Sequence, residues 1–298
     1  MAEPGAIRIG ISGWRYEPWR GVFYPEKLAQ KHELRHASST FRAIEINGTF
    51  YSLQRPESFA RWREDTPDDF VFTVKGPRYI THMRRLKEVK APLANFLASG
   101  LLNLGSKLGP ILWQFPPNFK FDAARMEPFL KLLPHSTDAA AVLARRHDKF
   151  MSGRSSMKTE DRPLRHAIEI RHASFVSPEF ISMLRQYDVA LVCADTVEWP
   201  RLMDVTSDFI YCRLHGSEVL YASGYDDNAL DDWAARVTAW SGGDEPSDAE
   251  RAVDEPGAKL PARDVFVFFD NDVKVKAPFD AQKLMARVDE RRRIPGVK

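Results

Sequence analysis

The sequence predicts an α/β protein of the single-domain (β/α)8 TIM-barrel class, over residues 1–298. Three observations predict it. The chain has eight short runs of β-branched and aromatic residues, segments with helical spacing lie between most of them, and strand and helix alternate in order. Alternating strands and helices pair in parallel through right-handed crossovers, and eight such units close a barrel. The chain is 44% hydrophobic, so its 298 residues can bury one large core.

Each predicted strand is bounded by glycine, proline or polar residues. The strands cover residues 7–14, 43–51, 70–77, 108–116, 166–172, 189–195, 209–216 and 264–272.

Helical spacing follows seven of these strands. The segments are residues 25–38, 56–65, 91–107, 122–134, 177–187, 227–240 and 280–293. Only residues 197–208 separate the sixth and seventh strands, and Pro200 interrupts them. Because proline breaks a helix interior, the sixth helix is predicted to be short or missing.

Two polar stretches interrupt the alternation, residues 147–165 and 241–263. Their glycine, proline, serine and charged residues cannot support a separate core, so we interpret both as loop insertions on one domain.

Charge and cysteine content exclude some classes of protein. Lys and Arg number 43 against 41 Asp and Glu, a net charge of +2, which disfavours binding to nucleic acid or membranes by bulk charge. The two cysteines, Cys193 and Cys212, lie in apolar runs, which predicts free, buried thiols in a reducing compartment. No signal-like or membrane-spanning segment is found, which predicts a cytoplasmic protein with no membrane partner.

Polar residues stand at the C-terminal ends of the predicted strands, where barrel enzymes build their active sites. Residues two apart share one face of a strand. In strand order these residues are Glu45 and Asn47, Lys75, Gln114, Glu169 with Arg171 and His172, Asp195, Arg213 with His215, and Asp270, Asn271 and Asp272. If the barrel closes, these side chains converge on one polar mouth, where a small-molecule ligand would bind.

Several of these residues also have a structural interpretation. In one alternative, Glu169 and Arg171 form salt bridges between neighbouring strands within a polar barrel layer. Asp195 caps a helix in another, and Gln114 satisfies a backbone group. His82, in the segment after the third strand, is either a loop histidine or part of the site.

An aromatic segment follows the first strand and includes Trp14 and Tyr16. Its rings either pack over the barrel mouth or stack on a sugar or base of the ligand.

The chain resembles the YecE-like family, a domain of unknown function, from Ile7 to Leu284. Seven ordered motifs carry the resemblance: GISGWRYEPWRGVFYP, EINGTFY, FVFTVKGPRYITH, LGPILWQFPP, EIRHASF, YCRLHG and FVFFDND. Asp270 stands where the family usually has Asn. The resemblance implies a TIM barrel with a probable site but assigns no reaction.

The favoured function is an enzyme acting on a small anionic substrate, phosphorylated or carboxylated, such as a sugar derivative. Glu169 and either His215 or His172 serve as acid and base, because a carboxylate beside an imidazole places one pKa near neutrality. The carboxylates of Glu45 and Asp270 complete the candidate catalytic set. Anion binding is assigned to Arg171, Arg213 and Lys75, with Asn47, Gln114, His82, Asp195, Asn271, Trp14 and Tyr16 as further substrate-binding candidates.

Two alternatives remain open. Glu45, Glu169, Asp195, His215 and Asp270 are candidate ligands of a divalent metal in a hydrolase or isomerase, although the cations of the same mouth oppose a dication. The other alternative is a non-catalytic module that binds a nucleotide or single-stranded nucleic acid, which the near-neutral charge disfavours. No motif identifies a cofactor, since the Walker A, GxGxxG and GxSxG patterns are absent.

Overall fold

The computed structural model describes residues 3–157, 159–216, 220–271 and 275–293. Within them, eight strands follow one another as a closed barrel in the order β1 to β8, and the strand pairs are parallel. This topology confirms the predicted fold class. The strands are β1 Ile7–Ser12, β2 Ala43–Ile46, β3 Val71–Lys75, β4 Leu108–Gln114, β5 His166–Glu169, β6 Ala190–Asp195, β7 Phe209–Leu214 and β8 Asp264–Phe269.

The strands begin within one residue of the predicted positions. All but β6, which ends at Asp195 as predicted, end earlier than predicted, and β2 differs most. The sequence predicted a strand over residues 43–51, and this is wrong beyond Ile46, because residues Gly48–Tyr51 form the short helix α2. The Thr49 hydroxyl donates to the backbone oxygens of Ile46, at 3.0 Å, and Lys75, at 2.6 Å. These bonds fold the chain back over the end of β3, which a pattern of β-branched and aromatic residues does not reveal.

Each of the seven predicted helical segments contains a helix. The helices are α1 Glu33–Thr40, α2 Gly48–Tyr51, α3 Pro56–Glu64, α4 Lys90–Ala98, α5 Ala123–Leu130, α6 Thr137–Ala144, α7 Pro178–Gln186, α8 Asp227–Ser241 and α9 Ala277–Arg293. Residues 196–208, all described, contain no helix, which confirms the prediction for the sixth unit.

Helix α6 was not predicted, although its N-cap is readable in the sequence. The Ser136 side chain accepts a hydrogen bond from the Ala139 amide at 3.1 Å and so satisfies one of the unpaired amides of the first turn. Asp122, Ser177 and Asp226 cap α5, α7 and α8 in the same way.

The chain groups into two compact units, which we describe separately. Unit 1 comprises residues 1–44 and 176–298 and carries β1, β6, β7 and β8. Unit 2 comprises residues 45–175 and carries β3, β4, β5 and helices α2 to α6. The assignment of residues 1–298 to one domain stays a prediction.

Each unit has an aromatic core. Fully buried rings in unit 1 include Trp19, Trp233 and Trp240, and those in unit 2 include Phe96 and Trp113.

His166, at the start of β5, belongs to the core of unit 2. It accepts from the Trp113 indole at Nδ1, over 3.2 Å, and its Nε2 lies 2.8 Å from the Pro134 oxygen. Burial lowers its pKa to about 3, so it is a neutral, fully satisfied core histidine.

Side-chain hydrogen bonds connect both predicted insertions to other parts of the chain. In residues 147–165, Asn95 and Asp148 exchange two bonds, from Asn95 Nδ2 to Asp148 Oδ2 at 2.9 Å and from the Asp148 amide to Asn95 Oδ1 at 3.0 Å. In residues 241–263, the Asp204 carboxylate accepts from the amides of Ala252 and Val253. These bonds satisfy backbone and side-chain groups that lie outside the helices and strands.

Cys193 and Cys212 are free and buried, as predicted, and face each other in register on β6 and β7. None of the described helices is both long enough and apolar enough to cross a bilayer.

Candidate functional site

Three neighbouring strands of unit 2 end in polar side chains. Lys75 closes β3, Gln114 closes β4 and Glu169 closes β5, and Gln114 and Glu169 are register partners. All three side chains are buried. With Arg171 and His82 they form what we call the β3–β5 cluster, which joins five of the predicted site residues.

Glu169 and Arg171 form a buried ion pair. Arg171 Nε lies 2.7 Å from Glu169 Oε1, the Glu169 side chain is fully buried, and the Arg171 side chain is 10% exposed. A carboxylate removed from water needs such a partner to stay ionised. The ion pair joins two residues two apart along the chain, and not two neighbouring strands as the structural interpretation expected.

His82 lies on a π-helical turn, Tyr79–Met83, that follows β3. Its Nδ1 is 2.8 Å from the Thr81 hydroxyl. Burial, followed by the charges of Lys75, Arg171 and Arg78, lowers the pKa of His82 to about 4, while the Glu169 carboxylate raises it by a smaller amount. His82 is therefore a neutral imidazole at pH 7, surrounded by cations.

Phe50, which the sequence analysis missed, connects Lys75 and His82. The Lys75 ammonium lies 4.5 Å from the centre of the Phe50 ring, and the His82 ring meets Phe50 edge to face at 5.0 Å. The EINGTFY motif contained this residue, but its place in the site depends on the turn of α2.

Two buried side-chain amide oxygens, on Asn47 and Gln114, are further candidates for contact with a ligand. Neither Asn47 Oδ1 nor Gln114 Oε1 has a hydrogen-bond partner among the described residues. Because a buried acceptor left unpaired is costly, a ligand donor at either position would bind favourably.

The two remaining predicted residues of unit 2 differ in setting. Glu45 on β2 is fully buried. His172 is half-buried and accepts at Nδ1 from the Ser174 amide at 3.1 Å. Its proton therefore stands on Nε2 in the neutral form.

A second group of predicted residues lies in unit 1, at the ends of β7 and β8. Arg213 Nη2 donates to Asp270 Oδ2 at 2.8 Å, and His215 Nδ1 lies 3.2 Å from the same oxygen. Arg213 and His215 are fully buried. The rings of Trp199 and Tyr221 meet the His215 imidazole edge to face.

Asp195 and Asn271 bond to neighbouring elements of unit 1. Asp195 accepts from the Trp233 indole and from Arg201, both at 3.1 Å. Residues 196–208, which follow Asp195 directly, contain no helix, so Asp195 does not cap one. Asn271 donates to Asp280 Oδ2 at 2.9 Å, and burial raises the pKa of that carboxyl.

The aromatic segment after β1 packs on itself. The Trp14 backbone oxygen accepts from the Tyr24 hydroxyl at 2.6 Å. The Tyr16 ring lies 4.6 Å from that of Trp19, which is fully buried. These contacts join residues of the segment to one another, and a role of Trp14 and Tyr16 in ligand binding stays a prediction.

The predicted residues thus gather in two groups, one in each unit. Asp272 lies outside the described residues. Within the ranges that the structure describes, no three His, Cys, Asp or Glu side chains are arranged to hold a metal ion. The functional roles assigned to all these residues stay predictions.

Known proteins are similar to this chain in sequence and in fold. The family model described as "Protein of unknown function DUF72" matches residues 8–297. The UPF0759 protein YecE of Escherichia coli K12 is 30% identical over 161 residues, which are 53% of this chain and 55% of that protein. The UPF0759 protein YunF of Bacillus subtilis is 31% identical over 124 residues, which are 38% of this chain and 41% of that protein. The matched part is therefore about half of each curated relative or less.

Solved structures match a larger part of this chain than the curated relatives do. A DUF72 family protein from Thermotoga maritima superposes with a TM-score of 0.69 at 26% identity, covering 95% of this chain and 99% of that one. A DUF72 family protein from Enterococcus faecalis gives a TM-score of 0.67 at 17% identity, covering 95% of both chains, and supports the fold alone. With a family model that matches all but the two ends of the sequence, the chain belongs to the DUF72 family, and the YecE-like resemblance is confirmed.

Proposed function

We propose that this chain is an enzyme that binds a small anionic substrate, a phosphate or a carboxylate, at the β3–β5 cluster. One observation carries the proposal: the Lys75 ammonium and the His82 imidazole contact the same Phe50 ring, at 4.5 Å and 5.0 Å. The charges of Lys75, Arg171 and Arg78 also lower the pKa of His82. Lysine and arginine bind phosphate and carboxylate oxygens by charge-assisted hydrogen bonds, which are strongest in partly buried sites.

In this proposal His82 is the general base. Its imidazole is neutral at pH 7, so it has a lone pair with which to accept a proton from the substrate. A bound anion offsets the three cations and raises the pKa of His82, so that the imidazole holds the accepted proton more firmly. The role given to His215 or His172 in the sequence analysis thus passes to His82.

Glu169 and Gln114 position the substrate. Glu169 accepts a bond from Arg171 Nε, and this bond sets the orientation of the guanidinium toward an anion. Gln114 has a buried acceptor, Oε1, for a hydroxyl or amine of the substrate. A molecule that carries both an anionic group and a hydroxyl group, such as a phosphorylated sugar, suits this set.

Binding is tested by thermal unfolding in inorganic phosphate. At a phosphate concentration ten times Kd, the ligand adds about 1.4 kcal/mol to the free energy of unfolding, which raises Tm by roughly 2 °C. Lys75→Met should lose this shift and Lys120→Met, at an exposed lysine, should keep it. Equal shifts in the wild type and in Lys75→Met would overturn the proposal, as would no shift in the wild type.

Turnover is tested with a panel of phosphorylated sugars followed by phosphorus NMR, on protein prepared with and without EDTA. We expect at least one compound to be converted by the wild type and none by His82→Gln. Conversion by both proteins would remove His82 from the reaction. Conversion that is lost in EDTA would favour the metal-dependent alternative instead.

A further inference from the structure

A cleft of about 800 Å³ opens in unit 2, lined by α2, by the π-helical turn, by α4 and by residues 148–150. Four apolar side chains in its lining are exposed: Tyr51 (71%), Tyr79 (46%), Met83 (63%) and Phe150 (63%). We call this cleft, with Phe50 and Arg78, the aromatic cleft. Four large apolar side chains exposed in one place form a patch of the kind that marks a binding surface.

The backbone along one wall of the cleft is strained. The π-helical turn itself is a rare conformation that is frequent at functional sites. Directly after it, Arg85, Leu86 and Glu88 have positive φ angles of 50°, 65° and 51°. Left-handed backbone in residues other than glycine costs free energy and persists where surrounding contacts impose it, often beside ligands.

Contacts that impose this conformation are present. The Leu86 side chain is buried, and its amide donates to the Ile80 oxygen at 3.0 Å. Arg85 donates to the Asn118 backbone oxygen at 2.7 Å. The wall is thus a fixed segment that presents Tyr79 and Met83 to the cleft.

The aromatic cleft is continuous with the β3–β5 cluster through Phe50. This ring lines the cleft and also contacts the Lys75 ammonium and the His82 ring. Tyr51 meets Phe50 edge to face at 5.1 Å. A ligand held at Lys75 is therefore positioned to extend over Phe50 into the cleft.

The charged side chains of the cleft lining balance in sign. Arg84 is paired with Glu88, and Asp148 with Asn95. Arg78 is exposed and has neither an ion pair nor a hydrogen bond within the described ranges. The two arginines of the lining are matched by Glu88 and Asp148, so the positive charge for an anion comes from Lys75 and Arg171, with Arg78 close enough to act on His82.

We infer that the ligand of this protein joins a phosphate or carboxylate to a flat, largely apolar ring, with the anion at Lys75 and Arg171 and the ring in the aromatic cleft. The inference rests on the proposed function and extends it by naming the second half of the substrate. Aromatic side chains hold such rings by stacking and edge contacts, and a cleft of this volume matches those that hold small molecules.

The test compares three probes, inorganic phosphate, phenyl phosphate and phenol, by isothermal titration calorimetry on the full chain. Phenyl phosphate should bind the wild type about 10- to 100-fold more tightly than inorganic phosphate, because the ring removes apolar surface from water. Phe150→Ala and Tyr79→Ala should each reduce this ratio by at least about threefold. The matched control is Phe279→Ala, at an exposed aromatic residue of α9 that does not line the cleft, and it should preserve the ratio.

The outcomes separate this inference from the proposed function. If phosphate and phenyl phosphate bind equally well, the ring site is wrong and the anion site stands. If neither binds, both are wrong. A ratio that survives both alanine substitutions would also refute the aromatic cleft as the ring site. Dimerisation that Phe150→Ala abolishes, with the ratio unchanged, would make the cleft an interface between copies of the chain.

Discussion

The pKa of His82 gives the sharpest prediction. The perturbation is His82→Gln, which removes the titrating group and keeps a polar side chain. In the folded chain the pKa of His82 is about 4, against 6.5 for an ordinary histidine. Between pH 6.5 and pH 4 the unfolded chain therefore binds a proton that the folded chain does not. By linkage, the free energy of unfolding falls as the pH falls through this window.

The magnitude follows from the difference between 6.5 and about 4, which is about 2.5. At about 1.36 kcal/mol for each pKa unit this gives roughly 3.4 kcal/mol as an upper limit. His82 is partly exposed, so solvent screening reduces the effect, and we expect about 2 kcal/mol. The wild type should lose this much more stability than His82→Gln between pH 7 and pH 4.

The assay is urea unfolding followed by tryptophan fluorescence at several pH values between 7 and 4, for the wild type, His82→Gln and His32→Gln. His32 is exposed, so that variant controls for the substitution itself. His166, whose pKa is lowered to about 3, also weakens folding in acid, but it is present in all three proteins and cancels in the comparison. Parallel pH profiles for the wild type and His82→Gln would refute the buried, cation-surrounded setting of His82.

Three further predictions concern stability. Gly76→Ala should lower the free energy of unfolding by roughly 2 kcal/mol or more, because the new Cβ would lie 2.4 Å from two atoms of the fully buried Trp113 ring. The measurement is Tm, which should fall, and an unchanged Tm would contradict this contact. Arg171→Met should lower the free energy of unfolding in urea by about 3 kcal/mol, because the Glu169 carboxylate stays buried without the Arg171 guanidinium. Adding Glu169→Gln to this variant should restore part of that free energy. Strictly additive effects of the two substitutions would show that the pair is not coupled. Both cysteines should react with a thiol reagent only on unfolding, and rapid labelling of the native chain would contradict their burial.

Local sequence pattern was sufficient for most secondary structure. The starts of the strands and the missing sixth helix follow from runs of β-branched residues and from Pro200, because these signals act over a few neighbouring residues. The strand predicted over residues 43–51 was wrong at its end, since the bond from the Thr49 hydroxyl to the Lys75 oxygen joins residues far apart in the sequence.

For the candidate site, the sequence predicted which residues to consider but not which of them contact one another. Polar side chains at strand ends were identifiable because barrel strands are otherwise apolar. The hydrogen-bond partners of these side chains could not be predicted, since Arg171 bonds to Glu169, two residues earlier, while Asp195 bonds to Trp233 and Arg201. Such choices depend on side-chain direction and on elements that return from elsewhere in the chain.

The sequence by itself determined the family, the order of strands and helices and the buried, unpaired state of the cysteines. The tertiary structure alone decided that Phe50 lies between Lys75 and His82, and that exposed rings from α2, the π-helical turn and residue 150 line one cleft. The physical reason is the range of the interactions involved. Periodicity and turn chemistry are local properties of the chain, whereas a pKa and a cleft arise from groups brought together by folding.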